Sequence, residues 1–452
     1  MDNKLTDKSP YLCKQNKTNH YMNKGLLLAM AFAMSISAHA LSLKGCLQMA
    51  RDNYPAIKQY KMIELSRDFT LENVAKGWLP QVSASAGAYG FTDILKANEQ
   101  MQKMGVDMKN YMANASVMVR QNVYDGGQMN AQKQVARMQS KVQQTQLDVS
   151  VYAIYDRVDQ LYFGILLLDE QLKQNRLLHN DLSNSEKNIR SMIKGGIANQ
   201  TDLDAILVEE LKADQQQESL LASRKAYLRM LGVFVGKELS EAEKLEKPST
   251  IAPQHFTGKD MYSTASGAIT SNGKWSVNRP ELSYYESQNQ LLAAQRKQLD
   301  ARLRPTVSLI GMGMVHSKLS DMVHNGLLMG GVSLSWNIGA LYTRKNDIKK
   351  LDLQEQMNQV QRETFLFNNR LQNEEVEGNM DALRKQIAKD DEIVRLRESI
   401  RSKSDKKVQL GTESVNELVR DINAVSLARA QKAQHEIQLL EEMYKQLTIN
   451  NN

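Results

Sequence analysis

The side chains of this sequence that could do chemistry are few and scattered. Beyond residue 40 there are five histidines, His179, His255, His316, His324 and His435, with no Gly-x-Ser-x-Gly elbow, phosphate loop or paired-ligand helix beside them. His316 and His324 share a polar loop where two imidazoles could take a metal, although a solvated loop explains them as well. No catalytic, cofactor or metal site is therefore expected. Cys13 falls in the N-terminal leader, which leaves Cys46 alone and excludes an intramolecular disulfide. "LKGC" faintly resembles a lipid-attachment box, but Lys44 beside the cleavage position argues against that use. Cys46 is expected on the apolar side of the first helix, as a small hydrophobe.

The more informative residues surround glycines. "MIKGGIANQTDLDAI" (192–206) interrupts a strongly helical region with two adjacent glycines, each costing roughly 1 kcal/mol inside a helix. "KVQLGTESVNELVRDI" (407–422) repeats the pattern 215 residues later, pairing Gly196 with Gly411, Thr201 with Asn416 and Leu203 with Leu418. Glycine supplies the positive φ that ends a helix. Thr201 and Ser414 could then cap the helices that follow. Ser414-Val415-Asn416-Glu417 reads as a capping box in which Glu417 serves its own helix.

The elements that position these breaks follow from the prolines and the apolar periodicity. The seven prolines leave 81–247 and 306–452 free of helix breakers. Leu147, Val151, Ile154, Val158, Leu161, Ile165, Leu168 and Leu172 step by alternate fours and threes, as a coiled-coil seam does. Val376, Met380, Leu383 and Ile387 form a second seam. Leu418, Ile422 and Val425 form a third, which Arg429 weakens. Before each long helix come two segments of alternating polarity, 81–91 with 116–124 and 306–315 with 331–339. Polar loops, 92–115 and 316–330, join each pair into a hairpin.

The chain thus reads as a duplicated order of helix, strand, strand, long helix, glycine tip and helix. The first copy spans 41–240 with its tip at 195–202, and the second spans 280–452 with its tip at 409–416. A mixed linker, 241–279, separates them. As one helix, 128–194 would be ~100 Å long. The helices 42–78 and 203–235, stacked end to end, match it. In the second copy 281–303 and 417–447 match 342–408. A long antiparallel helical bundle with β-structure at one end and both tips at the other is expected.

The N-terminus reads as a secretory signal. Lys24, the apolar run "GLLLAMAFAMSIS" and the small residues "AHA" at 38–40 place the cleavage before Leu41, with Met22 as an alternative start. The apolar run is too short for a transmembrane helix. The formal charge of +7 includes +3 from residues 1–40, and the remaining +4 is too interleaved with acid for a nucleic-acid partner. Four strands of about ten residues cannot close a membrane barrel, since the smallest has eight. Three chains would supply twelve, with apolar faces toward lipid and small polar faces toward a lumen. A soluble sheet capping a coiled coil is the alternative.

The quoted stretches, together with "SLKGCLQMARDNYP", "WLPQVSASAG", "RLRPTVSLIGMG" and "NVYDGGQ", occur in an order that resembles the TolC family of outer-membrane efflux ducts. The resemblance implies a mainly α chain with a small membrane β-barrel, built as a trimer with a twelve-strand barrel and a twelve-helix periplasmic tunnel. It implies a passive, non-enzymatic conduit of a tripartite efflux or type I secretion system. Its partners would be a periplasmic adaptor, an inner-membrane pump of RND or ABC type, and outer-membrane lipid. Gly196, Ile197, Ala198, Gly411 and Thr412 would then dock the adaptor. Asp202, Glu417, Arg420 and Asp421 would surround the periplasmic entrance. The family carries acids there, so Arg420 is a departure, and Glu413 and Val408 replace the basic and aromatic partners expected of Asp202.

Overall fold

The computed structural model describes residues 40–90, 103–104, 111–248, 268–269, 276–316 and 326–451. The signal expected over 1–40 therefore lies outside the described residues, apart from Ala40, as do most of the 241–279 linker, the centres of both hairpin loops and His255 and His324.

Helix α1 (Leu43–Asn53) starts where the Ser42 hydroxyl accepts the Gly45 N–H. The single helix expected over 42–78 is broken at Tyr54. That residue precedes Pro55 and is forced to an extended backbone (φ −65°, ψ 124°). A 3-10 turn then leads into α2 (Lys58–Ala75). The helix expected over 128–194 is divided at Ala153 into α3 (Gln128–Tyr152) and α4 (Ile154–Lys194). The Ala153 backbone stays right-handed, and its N–H still reaches the Val149 carbonyl at 3.2 Å, so the division is a tightened turn. Helix α5 spans Gln200–Val235. In the second half, α6 (Pro280–Arg302) opens on proline, α7 (Ala340–Gln409) runs unbroken for 70 residues, and α8 (Val415–Asn450) returns.

Strands β1 (Gln81–Gly90), β2 (Tyr111–Tyr124), β5 (Thr306–His316) and β6 (Gly326–Ser335) form one antiparallel sheet in the order β1-β2-β5-β6. Two short strands, β3 (Ala268–Ile269) and β4 (Ser276–Val277), pair separately. Residues 111–115, read as loop, belong to β2 and pair with β1 and β5. Strand β6 begins five residues before the expected Gly331 and ends at Ser335. Trp336 and Ile338 leave the ladder because the indole Nε1 donates to the Leu303 carbonyl at 2.8 Å, turning the chain toward α7. The sheet of one chain is open at both edges and is not a closed barrel.

Two rows of helices continue from the sheet. In the nearer row, α2, α3, α6 and α7 pack side by side in that order. In the farther row, α5, α4, α8 and the remainder of α7 do the same. The short helices thus lie along the long ones as expected. The first seam faces inward, with Val151, Val158 and Ile165 fully buried. The rows meet at a core that includes α1, where Cys46 is fully buried and its thiol is pushed up to about 12 by desolvation. The Tyr162 hydroxyl lies 2.8 Å and 2.6 Å from the carbonyls of Leu41 and Glu246, and ties the start of the described chain to the segment after α5.

Candidate functional site

Both tips are built by the same hydrogen bonds. In the first, Gly196 (φ 72°) donates to the Ile193 carbonyl at 3.1 Å and Ile197 to that of Met192 at 2.9 Å. In the second, Gly411 (φ 69°) donates to Val408 and Thr412 to Lys407, each at 2.9 Å. This paired closure satisfies carbonyls that a helix end leaves open, and it requires a left-handed residue where glycine stands. The tips sit together on a core of Leu182, Ile189, Leu203, Ile206, Val415 and Leu418.

The caps differ from expectation. Asn199, not Thr201, caps α5: its side chain accepts the Asp202 N–H at 3.0 Å, and the Asp202 carboxylate accepts the Asn199 N–H at 3.0 Å. Thr201 lies inside the helix, one residue past its start. Ser414 does cap α8 through the Glu417 N–H at 3.3 Å, but Glu417 does not return the bond, so the expected capping box is half formed. Asp202 is thus committed to its own cap, whereas the half-buried Glu417 carboxylate is not. Arg420 is exposed and Asp421 half-buried. Val408 is buried in the tip core, and Glu413 pairs with Lys407 at 3.7 Å. Sequence reasoning missed Leu410, which with Ile197 leaves two exposed apolar side chains beside the glycines.

Farther along the bundle, Arg429, the residue expected to weaken the third seam, pairs with Asp181 on α4 and Glu398 on α7. It binds three helices together. The histidines do not assemble: His179 pairs with Asp214 and His435 with Asp390. Among the described residues no group of three His, Cys, Asp or Glu side chains could hold a metal. Asp159 lines a polar groove of about 670 Å³ between α4 and α7, floored by α8. Its carboxyl is pushed up to about 7 by burial, while one oxygen accepts from Thr448 at 3.0 Å and the other has no hydrogen-bond partner.

At the other end, the register separates the sheet into two unlike faces. One row runs Ala84, Val117, Gly313, Leu328 across the four strands, and the next row on that face runs Val82, Val119, Gly311, Gly330. The opposite face carries the rows Gln81, Arg120, Ile310, Gly331 and Ser85, Ser116, Met314, Leu327. There the Ser85 and Ser116 hydroxyls meet at 2.8 Å, and Ser308 donates to Asn122 at 2.8 Å. The first face is apolar apart from Gln121 at its helix-proximal end, yet largely exposed, Leu328 at 87 %.

Comparison with solved structures recognises this arrangement. The channel OprN superposes with a TM-score of 0.64 at 13% identity, covering 90% of this chain and 89% of its own. CusC, solved in work on transmembrane channel formation, gives 0.63 at 12%, covering 90% and 91%. The open-state MtrE outer-membrane channel of Neisseria gonorrhoeae gives 0.62 at 12%, covering 91% and 89%. The chain has the TolC-type outer-membrane channel fold. No protein-family model matches the sequence, and no curated protein matches it.

In this TolC-type fold, unpartnered surfaces lie at both ends of each row. Strands β1 and β6 are the open edges of the sheet, while α2 and α7 are the outer helices of the nearer row. On α7, Leu353, Met357, Val360, Phe367 and Leu371 form a second a/d stripe, all more than half exposed. On α2, Met62, Leu65 and Phe69 are exposed at the same spacing. In the farther row the outer elements, α5 and the end of α7, expose Leu211 and Val233, and Leu396 and Ile400. The stripes on α2 and α7 share the spacing of the buried seams, and only burial distinguishes a filled seam from an open one.

Proposed function

We propose that the chain is an outer-membrane channel, assembled as a homotrimer, that conducts cargo from the periplasm of a Gram-negative cell to the outside. The observation that carries this reading is the coincidence of edges. The sheet and both helical rows end in surfaces that are open or apolar, and stable seams are not left facing water. Three copies closed edge to edge give twelve strands and twelve helices per row. The predominantly apolar sheet face then meets lipid and the mixed face surrounds a lumen. Among the described residues no helix is long and apolar enough to cross a membrane, so the sheet is the element that would insert.

On this reading the channel is a passive duct in a tripartite efflux or type I secretion system. An inner-membrane pump of RND or ABC type supplies the energy. The tips around Gly196, Ile197, Ala198, Gly411 and Thr412 receive the periplasmic adaptor, with Leu410 extending the apolar contact. Of the candidate entrance residues, Glu417 is best suited to act on passing ions because its carboxylate does not close its cap, whereas Asp202 serves its own. Arg420 and Asp421 offset one another. The deciding experiment is heat-modifiable trimer bands in outer-membrane fractions together with single-channel conductance in planar bilayers. A monomer confined to the soluble periplasm overturns the proposal in favour of a non-pore coiled-coil protein.

A further inference from the structure

On the mixed face of the sheet, one row between those of Gln81 and Ser85 is unlike its neighbours. Ser83 on β1 pairs with Met118 on β2, Met118 with Met312 on β5, and Met312 with Met329 on β6. Three thioethers thus stand side by side on adjacent strands, on the face that also carries Gln81, Ser85, Ser116 and Arg120. Met118 and Met329 are 36% and 46% exposed, so neither side chain is sealed in the core. The concentration is already present in the sequence: 101–118 and 312–329 hold nine of the 23 methionines of a 452-residue chain. A generic barrel lining requires no such bias.

We infer that Met118, Met312 and Met329 form a thioether site for a soft monovalent cation, Cu(I) or its analogue Ag(I), on the pore-facing side of the sheet. The inference rests on the channel reading above, which turns this face inward. Directly paired residues hold their Cβ atoms about 5 Å apart, and β2 and β6 lie about 10 Å apart across β5. Methionine has three rotatable bonds beyond that point, so the outer two sulfurs can lean toward the central one and share an ion. Thioethers select soft metals, and the row contains no carboxylate to attract hard ions. The Arg120 guanidinium, one row toward the helices, opposes tight retention of any cation, as conduction requires. The binding step is simple ligation. It needs no change of oxidation state and releases no proton.

The test uses the full chain with Cys46→Ala, which removes the one thiol beyond the leader, reconstituted in lipid nanodiscs in chloride-free buffer. Ag(I) is titrated by calorimetry and by NMR of methyl-labelled methionine, with Na(I) and Mg(II) as controls. Expected are saturable Ag(I) binding, shifts at the methyls of Met118, Met312 and Met329, and at least a tenfold weaker affinity when all three are changed to leucine. Unchanged Ag(I) affinity in that triple variant overturns the site, as does the absence of any methyl shift. Conductance in potassium nitrate is read on the same preparations. A native protein that conducts but does not take Ag(I) overturns the thioether site alone. One that neither trimerises nor conducts overturns the channel reading beneath it.

Discussion

Ile197 and Gly411, one from each tip, face each other: a Cβ added to Gly411 would stand 3.6 Å from the Ile197 Cγ2 methyl. The two breaks, 215 residues apart in sequence, are therefore one contact surface in the fold. The equivalent position at Gly196 opens onto empty space.

That asymmetry separates backbone from packing effects. Gly196→Ala and Gly411→Ala each force a left-handed alanine, at about 1–2 kcal/mol. Both are expected to lower the thermal midpoint comparably, because 3.6 Å is ordinary contact. Gly196→Asn, which tolerates positive φ, should recover most of the loss. Gly411→Leu should be worse than Gly196→Leu, since only the former drives a branched chain toward Ile197. Equal midpoints for the two leucine variants would contradict the tip-to-tip contact.

The caps make a second pair of expectations. Asp202→Ala removes the reciprocal bond to the Asn199 N–H and should cost about 0.5–1 kcal/mol, visible as faster amide exchange in the first turn of α5. Glu417→Ala, whose carboxylate closes no box, should leave exchange in α8 nearly unchanged. Single-channel recordings of Glu417→Ala should show reduced preference for cations over anions. Unchanged selectivity would remove Glu417 from the entrance.

The open stripe on α7 predicts an assembly defect without a folding defect. Met357→Asp and Phe367→Asp place charges on residues that are more than 60% exposed within one chain. Far-ultraviolet circular dichroism should stay helical while the oligomer is lost in native gels. Trimers that survive both substitutions would show that this stripe is not a subunit seam.

Asp159 predicts a pH dependence. Its carboxyl is pushed up to about 7, first by desolvation and further by Asp156 and Glu441, against the opposing hydrogen bond from Thr448. An unfolded aspartate titrates near ~3.9. Between these values the folded chain holds the extra proton, so stability falls as pH rises from about 4 to about 7 and then levels off. The contribution is about 1.4 kcal/mol for each unit of displacement. Asp159→Asn should flatten this slope in thermal melts taken at pH 5 and 7.5. A slope that persists would place the titration elsewhere.

The sequence revealed those features that are set by local rules. Prolines and apolar spacing located the long helices, and glycine located both tips, because each acts over a few residues. Strand ends were less legible. The departure of Trp336 from β6 depends on the Leu303 carbonyl, 33 residues away, which no alternation reports. Asn199 and Thr201 are both good capping residues, and which of them caps α5 depends on where Gly196 releases the chain. Asp159 reads as one more polar residue on a charged helix until α8 folds over it. The methionine row is the clearest case: its members lie on three strands separated by up to 211 residues, and only register brings them abreast.

The two outer edges of the chain are chemically different surfaces, α2 with β1 on one side and α7 with β6 on the other. A ring built from such pieces joins head to tail, and every copy is used twice. One copy with a spoiled α7 stripe could still capture a neighbour through its intact side and leave the ring unclosed. In a cell making equal amounts of native and spoiled chains, random mixing would leave about one ring in eight wholly native. A recessive-looking assembly mutation would then behave as a dominant poison.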